Sequence, residues 1–377
     1  MLPVTGVVPI LKTFVMDGFA VSEFWTHVFF AANMLAAFLF APIAGSIADR
    51  FGKPQVFLAI AAALDGVCFL LMPHMPDFAS LMALRFIEGA FHIAALSLLL
   101  AIAGAEQTNR SAAMGIVGAA ITFGVALGSP IGGYLGSISP LYSLSLGGVL
   151  MLIVAVASLV LYVPKTGLSR RQPLGEILKL LVRAPRLRLP YLFAFLDRFT
   201  VGFFVASFPI LAATAYDFSP GQIGGHIAAF MLTMGLLCPF VVKLSKKMSQ
   251  TQMLLWGSLV YGIFFATSGF VSPPTLMVWM FVLGAASAVM FIPTLQLSAD
   301  HAPDGHVGTS MGGFTSAGAL GFLTGPLVSG ALFSLLSHWF SSTLSYGLVL
   351  LFAGTLESVL AAYLLVRGYA TEKTASF

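Results

Sequence analysis

The chain has 377 residues, of which 58% are apolar and 8% charged, with a formal net charge of +4. A soluble domain carries roughly 25% charged residues; 18 Lys and Arg with 14 Asp and Glu cannot clothe a water-soluble globule of this length. That excludes a cytosolic enzyme, a nucleic-acid-binding protein and a disordered scaffold, and leaves a membrane protein with little outside the bilayer.

Taken in chain order, a short apolar run near 2–16 is followed by runs near 23–46, 55–73, 79–103, 112–135 and 143–163. After a longer connection come runs near 190–213, 222–243, 252–271, 275–298, 309–335 and 343–366. A spanning helix needs about 20 apolar residues, so the spacing predicts an all-α membrane protein of twelve spans, with both termini on one side. No secretory signal is expected, because nothing basic precedes the first apolar stretch. Cys68 and Cys238 sit in apolar runs and read as small buried hydrophobes rather than a disulfide or metal site. Trp25 and Trp339, near span ends, read as interfacial anchors.

The loops orient the chain. Connections after even-numbered spans hold Arg50, Lys53, Arg110, Lys165, Arg170, Arg171, Lys179, Arg183, Arg186, Arg188, Lys243, Lys246 and Lys247, and the tail adds Arg367 and Lys373. Connections after odd-numbered spans hold Asp17, Glu23, Asp77 and Asp217, with Lys12 as the one basic exception. Basic residues are retained in the cytoplasm, which puts both termini and the central loop there, in a plasma membrane, with a bacterial inner membrane expected.

The central connection splits the chain into an N-terminal six-helix half at 1–163, a linker at 164–189 and a C-terminal half at 190–377. Within the linker Leu174, Ile177, Leu178 and Leu181 share one helical face, opposite Glu176, Lys179 and Arg183. That pattern predicts an amphipathic helix lying at the membrane surface.

The halves repeat. Gly115, Gly124 and Gly128 recur as Gly312, Gly321 and Gly325 at an offset of 197, with Met114 matching Met311 and Pro42 matching Pro239 in the same frame. Leu81-Met82, Phe86 and Gly89-Ala90 recur at an offset of 195. Two parallel six-span repeats are the expectation. Pro9 aligns with Pro209 at an offset of 200, so the counterpart of Leu189 would lie about eleven residues before Met1. The first helix is therefore expected to be truncated, with the natural start upstream.

Between spans two and three, Gly45, Asp49-Arg50, Gly52 and Lys53 form a Gly, three residues, Asp-Arg, one residue, Gly, basic pattern. It resembles the signature loop of the major facilitator superfamily, and the resemblance implies a secondary transporter in which this loop helps hold one conformation. The equivalent loop at 243–250 has lost both glycines and the acid. In span five Gly115, Gly124 and Gly128, followed by Pro130, Gly132 and Gly133, are similar to the motif found in antiporters of that superfamily. Its Pro is displaced by one position, because Ser129 directly follows the third Gly. Small residues also let helices pack closely in any bundle.

Ionisable groups within spans are costly and mark function or pairing. Arg85, Glu88 and His92 follow at spacings of three and four, on one stripe of span four. In the fold that the resemblance implies, this span lines a central cavity. Glu88 is the expected proton acceptor, Arg85 the charge that resets it, and His92 an auxiliary. Asp197 and Arg198, at the start of span seven, are cavity or gate candidates, and adjacent residues point about 100° apart. Asp65 and Glu357 fall in helices expected at the periphery, where a structural pair or protonated carboxyl is the first reading. No phosphate-binding loop and no metal-ligand spacing is found, so neither a cofactor nor a metal is expected.

These features lead to a monomeric, proton-coupled antiporter that exports small organic molecules across the bilayer by alternating access, with no enzymatic activity and no nucleic-acid partner. An importer, symporter or facilitator of a sugar, organic acid or nucleoside on the same fold is the second reading.

Overall fold

A computed structural model describes residues 1–51, 54–104, 110–160, 174–245, 247–303 and 306–368. Among them every regular element is helical. In the first half these are α1 (Leu2–Gly6), α2 (Glu23–Phe51), α3 (Pro54–Leu71), α4 (Phe78–Gly104), α5 (Arg110–Ile138) and α6 (Pro140–Val160). There follow α7 (Leu174–Arg183), α8 (Arg188–Ala215), α9 (Pro220–Leu244), α10 (Gln250–Thr267), α11 (Pro273–Asp300), α12 (Val307–Leu336) and α13 (Ser342–Val366). Ten of them are long and apolar enough to cross a membrane among the described residues. The other two expected positions are α5 and the segment from Leu2 to Asp17.

That first segment is broken: α1 gives way to a 3₁₀ turn over Val8–Ile10 and a π-helical stretch over Leu11–Asp17. Its counterpart α8 runs unbroken through Pro209 for 28 residues. The difference has a local cause. Gly6 stands where α8 has Ala206, and glycine followed closely by a proline that lacks an N–H removes two supports from the same turn.

The repeat seen in the sequence recurs in how helices touch. In the first half, a Cβ added at Gly89 of α4 would strike the Asn33 backbone of α2, and one at Gly66 of α3 would lie 2.8 Å from the Gly148 carbonyl of α6. In the second, Gly284 of α11 meets Phe230 of α9, and Gly262 of α10 lies 2.7 Å from the Gly354 carbonyl of α13 by the same measure. Bare Gly surfaces allow these backbones to approach closely without a hydrophobic driving force between helices in lipid.

The packing separates two units, Met1–Arg171 with Asp217–Gly225, and Gln172–Tyr216 with His226–Phe377. The first turn of α9 thus belongs with the first unit: the Gly221 N–H donates to Ser137 Oγ at 2.8 Å, and Gly224 lies against the Ser129 carbonyl. Neighbouring Gly225 faces nothing within 4 Å. Gly224→Ala is therefore expected to lower thermal stability, by about 1–3 kcal/mol for an overpacked contact, while Gly225→Ala leaves it unchanged. Unfolding midpoints of the two purified variants check this; equal midpoints would refute it.

The C-terminal end of the linker helix packs within the second unit, while the side chains of Leu174, Ile177 and Leu178 lie outside the described residues. In α7 Leu180 is buried in one cluster with Ala184, Leu187 and Tyr191, and Leu181, Phe314 and Ala317 pack on it. Lys179 and Arg183 remain exposed. At Leu180 and Leu181 the helix rests on α12 of its own unit.

Candidate functional site

The three ionisable residues of α4 form a stripe, as their spacing requires, but the stripe is enclosed within the first unit. Arg85 and Glu88 have no exposed surface and His92 keeps 9%. Arg85 Nη1 donates to Glu88 Oε2 at 2.8 Å, a pair made within one turn of helix. The same Oε2 accepts from Asn33 Nδ2 of α2 at 2.6 Å. The Arg85 guanidinium also lies over the Phe29 ring, 5.1 Å from its centroid, a cation–π contact that gains strength where water is absent.

His92 turns the other way. Its Nδ1 lies 2.8 Å from Asp65 Oδ2 of α3, so the Asp assigned to a peripheral helix joins the site. Asp65 has no exposed surface. One atom of each of Asp65, Glu88 and His92 lies within 4.8 Å of the others, a grouping invisible in sequence spacing because Asp65 lies on another helix, 27 residues from His92. It is the kind of donor set that holds a cation. With both carboxylates ionised and His92 neutral, Arg85 leaves one surplus negative charge. A divalent ion would overshoot to a surplus positive charge beside Arg85, whereas a single proton brings the group to neutrality. In a membrane interior, where each unbalanced charge is expensive, the proton fits better.

Packing supports the orientation of this group. Gly89, directly after Glu88, abuts the Asn33 backbone, which sets α2 and α4 close enough for the Asn33 amide to reach the carboxylate. Asp65 precedes Gly66, where α3 meets α6. The polar atoms Arg85 Nε and Nη2, Glu88 Oε1, Asp65 Oδ1 and His92 Nε2 have no hydrogen-bond partner among the described residues.

In the second unit Asp197 and Arg198 diverge from α8. Asp197 is buried; Arg198 keeps a weak 3.4 Å contact to it and lies 4.9 Å above the Phe291 ring of α11. Glu357 of α13 is fully buried with neither carboxyl oxygen hydrogen-bonded among the described residues, near Asp197, Thr200 and Ser258.

The glycines of span five receive α1. Added Cβ atoms at Gly128 and Gly132 would strike Thr5 and Gly6, and one at Gly124 would come within 3.2 Å of Met1. Gly133 faces Pro220, and Pro130 lies inside α5. Gly115 also lies in α5. Gly321 and Gly325 of α12 meet Phe195 and Phe199 of α8 in the same manner. Of the loop motif, Gly45, Asp49 and Arg50 lie in the last turns of α2, while Gly52 and Lys53 lie outside the described residues.

A family model described as the major facilitator superfamily matches residues 1–196 and again 190–376. The chain belongs to the major facilitator superfamily. The two matches divide the chain near its midpoint, as the internal repeat does. Among relatives, Multidrug resistance protein 2 of Bacillus subtilis (strain 168) is 24% identical over 82% of this chain and 80% of its own length. The class C tetracycline resistance protein of Escherichia coli is 25% identical over 87% and 85%. A mutant of the nucleoside transporter NupG superposes with a TM-score of 0.79 at 15% identity, covering 97% of this chain and 96% of that one. A bacterial homologue of the human lysosomal transporter Spinster gives 0.76 at 15% identity, over 100% and 96%. At such identities the structural likeness speaks for the fold of this superfamily member. As a member it is a multi-pass membrane transporter of small molecules rather than an enzyme.

Proposed function

We propose that this transporter exports small organic molecules in exchange for protons, and that Arg85, Glu88 and His92, joined by Asp65, form the coupling centre. The observation that carries this is the enclosed quartet with one surplus negative charge, which a single proton neutralises. A change of charge inside the α2–α3–α4 contact alters what holds those helices together, and transporters of this architecture alternate access by rocking of halves. Asp197 and Arg198 are the gate candidates of the second unit, and the α2 loop motif the element that holds one conformation. The protein works as a monomer in the inner membrane, with both termini in the cytoplasm. Resistance proteins among its relatives support export as the direction.

Inside-out membrane vesicles test the reading, with ethidium as the probe. On addition of the dye to energised vesicles, dye enters and protons leave the lumen, reported by a trapped pH dye, and Glu88→Gln abolishes the linked proton movement. Protons and solute moving in the same direction would favour the symporter reading. Undiminished proton-linked uptake in Glu88→Gln would remove Glu88 from the mechanism.

A further inference from the structure

The quartet treats its two carboxyl groups unequally. Glu88 Oε2 receives two donors, one of them the Arg85 guanidinium, and hydrogen bonds to an ionised carboxylate favour its charged form. Asp65 has no side-chain cation of its own, the Met1 amine being the other positive charge that acts on it besides Arg85: Oδ2 meets His92 Nδ1, and Oδ1 has no hydrogen-bond partner among the described residues. Two acids this close, away from water and facing one guanidinium, do not both stay ionised.

Resting on the proton-exchange reading above, we infer that the exchanged proton sits on Asp65 and leaves through His92, while Glu88 stays ionised against Arg85 and Asn33. This moves the proton away from the residue that sequence spacing alone selects. In the loaded state the Asp65 carboxyl O–H donates from Oδ2 to Nδ1 of a neutral imidazole that carries its hydrogen on Nε2. On release the proton passes from Oδ2 to Nδ1 as the Nε2 proton departs. Asp65 is left a carboxylate that accepts from Nδ1–H, and the quartet goes from neutral to one negative charge. Reprotonation at Nε2 reverses the sequence. His92 is the exit because it alone of the four keeps any accessible surface; its Nε2 is buried in this conformation, so release follows a change that uncovers that nitrogen.

The other groups facing Asp65 do not supply the missing cation from the fold. Cys68 lies one turn along α3, the neutral Asn33 comes from α2, and α6 carries only the exposed Tyr142. From α1 the terminal amine of Met1 lies within electrostatic reach, so the test uses full-length protein with a short N-terminal tag that moves this amine away.

Infrared difference spectroscopy of the purified protein, stepped in pH in water and heavy water, reads the proton directly. A carboxylic-acid C=O band that titrates away as pH rises is expected in the wild type, absent in Asp65→Asn and retained in Glu88→Gln. Any band from Asp197 or Glu357 is common to the wild type and the variants and is removed by comparing them. His92→Gln retains the band and slows its response to a pH jump, whereas loss of a merely structural hydrogen bond would shift the midpoint and leave that rate unchanged. If Asp65→Asn does not fold, Asp65→Glu replaces it: the band persists at a displaced frequency. A band unmoved by either Asp65 variant and lost in Glu88→Gln overturns this assignment and leaves proton exchange standing. Ethidium transport by the wild type with no linked proton movement overturns both.

Discussion

Arg85→Gln is expected to destabilise the protein by about 3–5 kcal/mol, the range seen when one partner of a buried ion pair is removed. The Arg85→Gln/Glu88→Gln double variant regains most of that loss. The single change leaves the Glu88 carboxylate with Asn33 as its remaining donor, on a residue with no exposed surface. The double change removes both charges, and a neutral pair of similar size costs far less than one stranded charge. Acidifying the buffer narrows the single variant's deficit, because a proton on Glu88 then stands in for the lost guanidinium. Unfolding midpoints in detergent, followed by Trp fluorescence across pH, read all three effects. A single variant as stable as the wild type would mean that Glu88 is not held as an anion. A double variant as unstable as the single one would transfer the effect to packing of Arg85 on the Phe29 ring. Transport is lost in both variants, so stability and function separate in the double.

How much of this could be read from the sequence depends on whether partners share a helix. Arg85 and Glu88 are three apart, and helical geometry alone places them together; their 2.8 Å pair is the expected one. The twelve apolar runs, the 197-residue offset and the superfamily motifs likewise carry their meaning locally, and the double family match follows from them. The Asp65–His92 contact does not, since it depends on the packing of α3 against α4. No periodicity marks Asp65: it is a single acid in an apolar run. The only available sign was cost, since a lone acid in a spanning helix needs a partner, and sequence cannot say which. Asn33 was hidden further, being neutral. The broken first segment was legible in principle from Gly6 and Pro9, yet Pro209 in α8 shows that the proline alone does not decide it. At α7 an amphipathic pattern reports only that one face is apolar, without saying whether protein or lipid covers it.

Gly325→Val and Gly128→Val are equivalent changes by the repeat, and they are expected to differ. Gly325 of α12 abuts the Phe199 carbonyl, with Gly202 beyond at 3.1 Å from an added Cβ. The helix it meets, α8, is 28 residues long and buried through most of its length. Overpacking costs about 1–3 kcal/mol where neighbours can shift; α8 has packed neighbours on every side of that buried stretch to displace, so Gly325→Val falls at or above the top of that range. Gly128 faces Thr5 and Leu2 of α1, whose α-helix ends at Gly6 and gives way to a 3₁₀ turn and a π-helical stretch. That break lets the segment adjust, and Gly128→Val is expected near the bottom of the range. Midpoints for the two variants give the order, and the reverse order would show that α1 is held as firmly as α8. Ethidium export then separates packing from motion. If span five serves only as a packing surface, export falls in step with stability, and Gly325→Val is the worse transporter. If its glycines take part in the switch between conformations, as the antiporter-like motif implies, Gly128→Val loses export while its midpoint stays close to that of the wild type.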